Sequence, residues 1–388
     1  MKTGVATVPL DYGKCPKWLF ERMKKLSREI SIIIIEEFGP EEFLKRLSNP
    51  VWFQSFGCLI GFDWNSSGLT TTTLGALKEG LKGLENELGI YICGGKGKTS
   101  KKTPQQIQEW GQFLGFSQKK IDELIYASKI AAKVDSCLIQ SGFQIYHHNF
   151  IFDKMGRYSV IQQGMNINIQ KARRYHWLST KIKYFTEEPH SGIVSDIRIK
   201  QLNLTAKESK ENKEISVEMI NEEPKMFLKD LKSISSKNNI QSFSNSLMKQ
   251  KQLFNFSEME LNNVEFYWHP VLKEKFNLKR LEKTIENAHF LKPENFENLL
   301  MIKGVGPKTI RALSLVAELI YGAKPSYKDP ARYSFTVGGK DHTPMPIQKD
   351  TYDELILIME KAIKKAKISN SEKDHAQKRL YNQTFLKK

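Results

Sequence analysis

Cysteine is scarce in this sequence of 388 residues, and its four cysteines lie far apart. They are Cys15, Cys58, Cys93 and Cys137, and no two of them have the C-x-x-C spacing of a zinc or redox site. This distribution argues against a cysteine–zinc site. It favours reduced, buried thiols, which are typical of proteins that work inside cells.

Long hydrophobic runs are also missing. No stretch approaches the roughly 18 apolar residues that a membrane-spanning helix needs, and the densest short run, Ile30–Ile35, is interrupted by Ser31. The first residues, MKTG, lack the hydrophobic region of a signal peptide. We therefore expect a soluble cytoplasmic protein with no membrane partner, associated with the nucleoid if it binds DNA.

Acidic residues are outnumbered, because 60 lysines and arginines face 43 aspartates and glutamates and give a net charge of +17. Such an excess is typical of proteins that bind a polyanion, most often a nucleic acid. The alternative is a solvated, lysine-rich surface without a specific partner. The hydrophobic content of 40% is typical of a globular protein, and the length predicts two to three domains.

The first 203 residues are predicted to form an α/β or α+β domain that carries the candidate active site. Phe56–Phe62 has the pattern of a buried strand, a helix is expected over Leu74–Leu88, and a second strand at Ile90–Cys93. This order is typical of a βαβ unit. Two helices are expected between Thr103 and Ala132, followed by strands at Phe143–His147, Phe150–Phe152 and Tyr158–Gln162, the last two joined by a hairpin turn.

Three further segments follow this domain. Residues 204–255 are rich in Lys, Glu, Asn and Ser and are predicted as a polar connector with one short helix over Met226–Leu231. Residues 256–368 are predicted as an all-α domain. Residues 369–388 are expected to be a basic tail that frays.

Within the predicted all-α domain, residues 296–321 resemble a helix-hairpin-helix DNA-binding motif. Gly304-Val305-Gly306 would form the hairpin and Pro307 would open the second helix. Glycines leave backbone N–H groups accessible, and a helix N-terminus attracts phosphate. We therefore predict contacts with the DNA backbone, without sequence recognition, from Lys303, Gly304, Val305, Gly306, Lys308, Thr309 and Arg311.

Charge is concentrated around this motif, since residues 301–340 contain seven basic and two acidic side chains. RNA is an alternative partner, and a hairpin used only for packing is an alternative reading. A third possibility is a DNA glycosylase/lyase, because Lys308 matches the Schiff-base lysine of helix-hairpin-helix glycosylases. Asp329 is then the nearest candidate for their downstream aspartate, although its sequence context departs from their pattern.

Polar side chains cluster in the first domain, and some of these clusters include Lys133 and Gln140. Asp63, Asp135 and His148 are predicted to hold Mg²⁺ or Mn²⁺, which would activate water for phosphodiester cleavage. Successive strand residues face opposite sides, so at most one of His147 and His148 should enter the site. The predicted catalytic set, in which the two arginines clamp phosphate, is Asp63, Asp135, His147, His148, Gln163, Arg173, Arg174 and His176.

Several long motifs resemble an uncharacterised family of archaeal and bacterial proteins, a domain of unknown function with a C-terminal helix-hairpin-helix. The motifs are the opening MKTGVATVPL and the stretches FDWNSSG, YHH, QQGM and ARRYHW. The resemblance implies no reaction. In that family histidine is usual where Asn65 stands and aspartate where Ser141 stands, which implies that this chain has lost two groups able to bind metal or transfer protons.

Two classes of function therefore remain besides the lyase. The first is a DNA-processing or repair enzyme, a metal-dependent nuclease held on DNA by the hairpin. The second is a DNA-binding or chromatin-associated protein without enzymatic activity, in which the polar clusters of the first domain serve only the fold.

Overall fold

The computed structural model describes residues 15–61, 68–195, 197–222, 224–235, 276–331, 357 and 359–385. The helices of these segments are α1 Lys17–Leu47, α2 Pro50–Leu59, α3 Gly68–Leu81, α4 Glu85–Leu88, α5 Thr103–Phe113, α6 Gln118–Cys137, α7 Lys210–Glu222, α8 Pro224–Ser235, α9 Leu278–Leu291, α10 Phe296–Met301, α11 Pro307–Tyr321 and α12 Asn370–Phe385. The strands are β1 Ile90–Lys96, β2 Ile139–Gln140, β3 Gln144–Asp153, β4 Tyr158–Asn166, β5 Lys171–Leu178, β6 His190–Ser195 and β7 Leu202–Asn203.

A five-stranded sheet in the order β1-β3-β4-β5-β6 forms the centre of the fold, and all its neighbouring strands are antiparallel. The predicted hairpin between β3 and β4 is confirmed, and so are the two helices before it, α5 and α6. The predicted strands Phe143–His147 and Phe150–Phe152 form one continuous strand, β3, with a register shift between Ile145 and His147.

Helices cover both faces of this sheet. Phe150 and Phe152 of β3 belong to a core shared with α5, α6 and the hairpin helices α10 and α11. Ile151, between them, belongs to a second core with α1, α2 and α3. Successive strand residues point to opposite faces, so β1, β3, β4 and β5 each contribute to both cores.

The expectation of a buried strand at Phe56–Phe62 is wrong, because residues 50–59 form helix α2. The Asn49 side chain caps this helix by accepting hydrogen bonds from the backbone N–H of Val51 at 3.0 Å and of Trp52 at 3.3 Å. Pro50 then occupies the first turn, where proline is favoured. A short run buried on all sides does not distinguish strand from helix. With α2 helical and the sheet antiparallel, the predicted βαβ unit is absent from the described residues.

Helices occupy the described part of the range predicted as a polar connector. Residues 210–222 form α7 and residues 224–235 form α8, which includes the predicted short helix. Val217 and Ile220 of α7 and Leu231 of α8 are buried in the same core as the hairpin helices. Most of the charged residues of α7 are exposed, whereas the polar Asn212 and Ser216 are buried with its apolar stripe; composition alone did not reveal this stripe. Residues 236–255 lie outside the described residues.

The segment near the C-terminus packs against the N-terminal helices. Met359, Ile363 and Ala376 are buried in the core that contains α1, α2 and α3. Residues 370–385, expected to fray, form α12, and the backbone N–H of Lys367 donates to Glu29 at 3.0 Å.

The predicted mixture of helix and sheet is therefore confirmed, with an antiparallel sheet. A separate all-α domain is not delineated, because the hairpin helices share one core with the sheet. Within the described ranges, no helix is both long enough and apolar enough to cross a membrane.

We expect Asn212→Leu to show that α7 is part of the folded core. The buried Asn212 amide donates to the carbonyl oxygens of Ser314 at 3.1 Å and Ala323 at 2.7 Å. Loss of these bonds should lower the free energy of unfolding, measured by urea denaturation, by about 1–3 kcal/mol. Glu211→Ala, exposed on the same helix, should change it by no more than about 0.5 kcal/mol. Equal stability of the two variants would contradict the packing of α7.

Candidate functional site

The predicted hairpin lies between α10 and α11. Gly304 has a φ of +97°, a conformation that side chains disfavour. The backbone N–H of Val305 donates to the carbonyl of Ile302 at 3.2 Å, and the Val305 side chain is buried. The turn is thus anchored from inside by one valine, while the exposed Lys303 and Gly304 form its outer surface.

The N-terminus of α11 has no side-chain cap. Gly306 occupies the capping position and Pro307 the first helical position. The first N–H groups of a helix have no intrahelical acceptor, so the backbone N–H groups of Lys308 and Thr309 are left for an external partner. The Lys308 side chain is exposed beside them, whereas that of Thr309 is buried.

Lys133 of α6 holds the hairpin from the inside. Its Nζ donates to the backbone carbonyl oxygens of Leu300 at 2.6 Å, Val305 at 2.8 Å and Ile302 at 3.3 Å. Burial lowers the pKa of this ammonium group. Lys133, predicted as a member of the first domain's polar clusters, therefore bonds to the hairpin.

Gln140 makes a second connection to the same region. Its Nε2 donates to the carbonyl of Pro307 at 2.9 Å and to that of Cys137 at 2.7 Å. Its Oε1 accepts from Nε of Arg311. Arg311, predicted to contact phosphate, is half-buried and engaged with the protein, so it is less accessible than Lys303 or Lys308.

Asp135, on the same helix as Lys133, is buried against the sheet. Its Oδ2 accepts from Nε1 of Trp177 at 3.0 Å and from Nε2 of Gln162, and its Oδ1 is bonded to Nε2 of His190. His190 was missed in the sequence because nothing in its own segment points to Asp135. The apolar run Ile193-Val194 after it is the signal that could have indicated a strand there.

The network continues to His148. Gln162 donates through Nε2 to Asp135 and to the carbonyl of Ala131 at 3.0 Å, so its Oε1 accepts from Nδ1 of His148 at 2.8 Å. Nε2 of His148 therefore accepts from the hydroxyl of Ser128 at 2.8 Å. Burial lowers the pKa of His148, which agrees with a neutral ring.

This arrangement separates two of the three predicted metal ligands. Gln162 lies between Asp135 and His148, so their polar atoms bond to the amide and do not face a common ion. Across the ranges that the structure describes, no group of three or more His, Cys, Asp or Glu side chains is placed to hold a metal. Asp63, the third predicted ligand, and Asn65 lie outside the described residues.

His147 faces the opposite side of the sheet, as the alternation along a strand predicts. Its cross-strand neighbours are Lys96 and Gln163. The ring is 1% exposed, and neither of its nitrogens has a hydrogen-bond partner. Burial, followed by the neighbouring His148, lowers the pKa of His147 to about 3. His147 and His148 thus contribute to two different environments.

Arg174, Gln163 and His176 share this second face. Arg174 is buried and donates to Gln54 at 3.1 Å, to Thr70 at 3.2 Å and, through Nε, to Nε2 of His176 at 2.8 Å. Nδ1 of His176 lies 3.1 Å from the carbonyl of Leu47 and must donate to it, so Nε2 is the acceptor. Gln163 donates to the hydroxyl of Tyr146. The contacts of Arg174 join the sheet to α2 and α3, and that of His176 joins it to α1.

Arg173 forms a buried ion pair with Asp329. Nη2 of Arg173 lies 2.6 Å from Oδ2 of Asp329, and both side chains are almost completely buried. Nη1 donates to Gln201 at 3.1 Å and to the hydroxyl of Ser141 at 3.3 Å. Breaking such a pair costs about 3–5 kcal/mol. The geometry therefore does not fit the predicted phosphate clamp, for Arg173 or for the equally buried Arg174.

The ion pair also bears on the lyase alternative. Asp329 accepts from the backbone N–H of Ile199 at 3.0 Å through Oδ2 and from that of Ala331 at 2.9 Å through Oδ1. Oδ2 thus fixes the loop after α11 to Arg173 of the sheet, and Oδ1 holds the loop's own backbone. This aspartate is not presented to a substrate beside Lys308.

A family described as "Protein of unknown function (DUF763)" matches residues 4–347. The chain belongs to this family. The match covers the hairpin, Lys133 and both polar faces of the sheet, and it ends before the C-terminal helix α12. The resemblance predicted from the sequence motifs is thereby confirmed. No curated protein and no solved structure matches the chain.

We expect this DUF763 protein to lose stability in acid because of His147. The unfolded chain takes up a proton near pH 6.5, whereas the folded protein resists it down to about pH 3, so stability falls as the pH falls through this window. Between pH 7 and pH 5, His147 alone should reduce the free energy of unfolding by about 2 kcal/mol.

Urea denaturation at both pH values measures this difference. His147→Gln should recover the part of the loss that His147 causes, while His375→Gln, at an exposed position of α12, should behave like the unmodified protein. An undiminished acid loss in His147→Gln would contradict the assignment.

Proposed function

We propose that this protein binds DNA through the hairpin between α10 and α11, by contacts with the phosphate backbone that do not depend on base sequence. The observation that carries the proposal is the uncapped N-terminus of α11, exposed between Lys303 and Lys308. A helix N-terminus combines free N–H donors with the positive end of the helix dipole, a combination that binds phosphate.

Side-chain charge supports the same ligand. Lys303 lies before the glycine turn and Lys308 after it, and both are exposed. Two ammonium groups beside backbone N–H donors provide positive charge for a phosphodiester backbone. Neither group reads a base edge, so sequence-independent binding follows.

The rigidity of the hairpin also favours binding over a purely structural role. Lys133 and Gln140 fix its inner side by four hydrogen bonds to backbone carbonyls. Donors already held in place lose little conformational freedom when a ligand binds. A hairpin used only for packing would not need the lysines on its outer side.

We expect Lys303→Ala and Lys308→Ala each to weaken DNA binding to a similar extent on unrelated sequences. Each should also reduce the slope of log affinity against log salt by about 1, because one phosphate contact is lost. Fluorescence anisotropy with labelled duplex DNA, single-stranded DNA and duplex RNA of equal length measures both effects. Lys82→Ala, at an exposed position after α3, is the matched control.

An unchanged salt slope in both variants would contradict the hairpin as the binding surface. Tighter binding of the RNA probe, lost in the same two variants, would assign the surface to RNA.

The reaction itself, metal-dependent cleavage of phosphodiester bonds with Mg²⁺ or Mn²⁺, stays a prediction that rests on Asp63. Incubation with labelled DNA should give cleavage that requires the metal and disappears in Asp63→Ala, while circular dichroism of the variant is unchanged. Binding without cleavage would instead support a DNA-binding protein without enzymatic activity. Borohydride trapping that is lost in Lys308→Ala would support the lyase alternative.

A further inference from the structure

The ammonium group of Lys133 lies in a cup of three backbone carbonyls. The oxygens of Leu300, Ile302 and Val305 lie 2.6, 3.3 and 2.8 Å from its Nζ. The first belongs to the last turn of α10 and the other two to the hairpin. Among the described residues no carboxylate forms an ion pair with Lys133, so its charge is balanced only by carbonyl dipoles.

This ligand set is chemically that of a monovalent cation site. Carbonyl oxygens that converge on one point replace the hydration shell of K⁺ in proteins, and an ammonium group has three N–H donors for the same three oxygens. We propose that Lys133 serves as a built-in cation of the hairpin and positions its phosphate-binding N–H groups; the second part rests on the DNA-binding function proposed above.

The covalent geometry of the peptide group connects the carbonyls that bind Lys133 with the N–H groups that we propose bind phosphate. In a planar trans peptide group the C=O and the following N–H point in opposite directions. The carbonyls of Ile302 and Val305 point toward Lys133, so the N–H groups of Lys303 and Gly306 point away from it. Neither N–H group donates to a backbone acceptor in the described part of the chain.

Gln140 orients a third peptide group in the same manner. Its Nε2 donates to the carbonyl of Pro307, whose peptide group carries the N–H of Lys308. The carbonyls of Ile302, Val305 and Pro307 on the inner side of the hairpin are thus fixed by side chains of two neighbouring elements, α6 and β2. The outer side presents the corresponding N–H groups beside two exposed lysines.

The test removes the ammonium group and supplies a free cation. In Lys133→Met, the alkyl chain is kept and the cup is emptied; Lys129→Met, at an exposed position one turn earlier on α6, is the control. Thermal unfolding without DNA and DNA anisotropy are measured in ammonium, potassium and tetramethylammonium chloride at equal ionic strength. Equal ionic strength is required because DNA affinity depends on salt.

We expect Lys133→Met to unfold at a lower temperature in tetramethylammonium chloride, whose cation is too large for the cup, and to regain stability in ammonium or potassium chloride. Its DNA affinity should be about tenfold weaker in tetramethylammonium chloride and should be restored in parallel. The unmodified protein and Lys129→Met should show no such preference.

A loss of stability that is the same in all three salts, or no loss at all, would overturn the cation site. If Lys133→Met does not fold in any of these salts, Lys133→Gln, which keeps two N–H donors without the charge, is measured in the same way. If the stability of Lys133→Met depends on the cation but the unmodified protein does not bind DNA, the built-in cation is confirmed and the proposed DNA-binding function is refuted. If the unfolding temperature of Lys133→Met depends on the cation but its DNA affinity does not, only the positioning role is refuted.

Discussion

The constraint on which this structure depends is that helices cover both faces of the sheet, so most polar side chains in the middle of its strands are buried. A buried polar group without a partner costs about 1–3 kcal/mol. Several polar side chains of the central strands accordingly have a partner from another layer: Asp135 for Trp177, Gln54 for Arg174 and Asp329 for Arg173. These pairs fix the helices on the sheet, and the candidate catalytic residues of the first domain are, for the most part, the members of these pairs. Exceptions among the described residues include His147, both of whose ring nitrogens lack a partner, and the hydroxyls of Tyr91 and Ser159.

Helix α6 contributes to two separate polar networks, one in the sheet and one at the hairpin. Asp135 points from it into the sheet, where it collects three donors, while Lys133, two residues earlier, points to the hairpin. Residues two apart on a helix face different directions, so a short polar sequence, Lys133-Val134-Asp135, serves two structures. Proximity in sequence suggested one site; the direction of the side chains shows two environments.

The sequence was a good guide where a feature depends on neighbouring residues. The glycine hairpin before Pro307, the turn between β3 and β4, and the opposite orientation of His147 and His148 are local and were predicted. The helix α2 was missed, although Asn49-Pro50 is a local capping signal, because the apolar run after it fits strand and helix equally well.

Partners distant in sequence could not be predicted. Asp135 and His190 are 55 residues apart, and Arg173 and Asp329 are 156 residues apart. No pattern in either segment indicates the other. The partners of the two arginines were not foreseen for this reason: composition shows a charge but not the buried carboxylate of Asp329 or the amide of Gln54 that it meets.

The packing of the C-terminal segment on the N-terminal helices has a consequence for the order of folding. The core that contains Met23 and Ile34 of α1 is completed by Met359 and Ala376, which come much later in the chain. The sheet and the hairpin helices share the other core, which can form while synthesis continues, since domains fold in the order in which they leave the ribosome. Until that later segment has been synthesised, the apolar surface of α1 that it covers stays exposed, and contacts between segments so far apart in sequence form slowly.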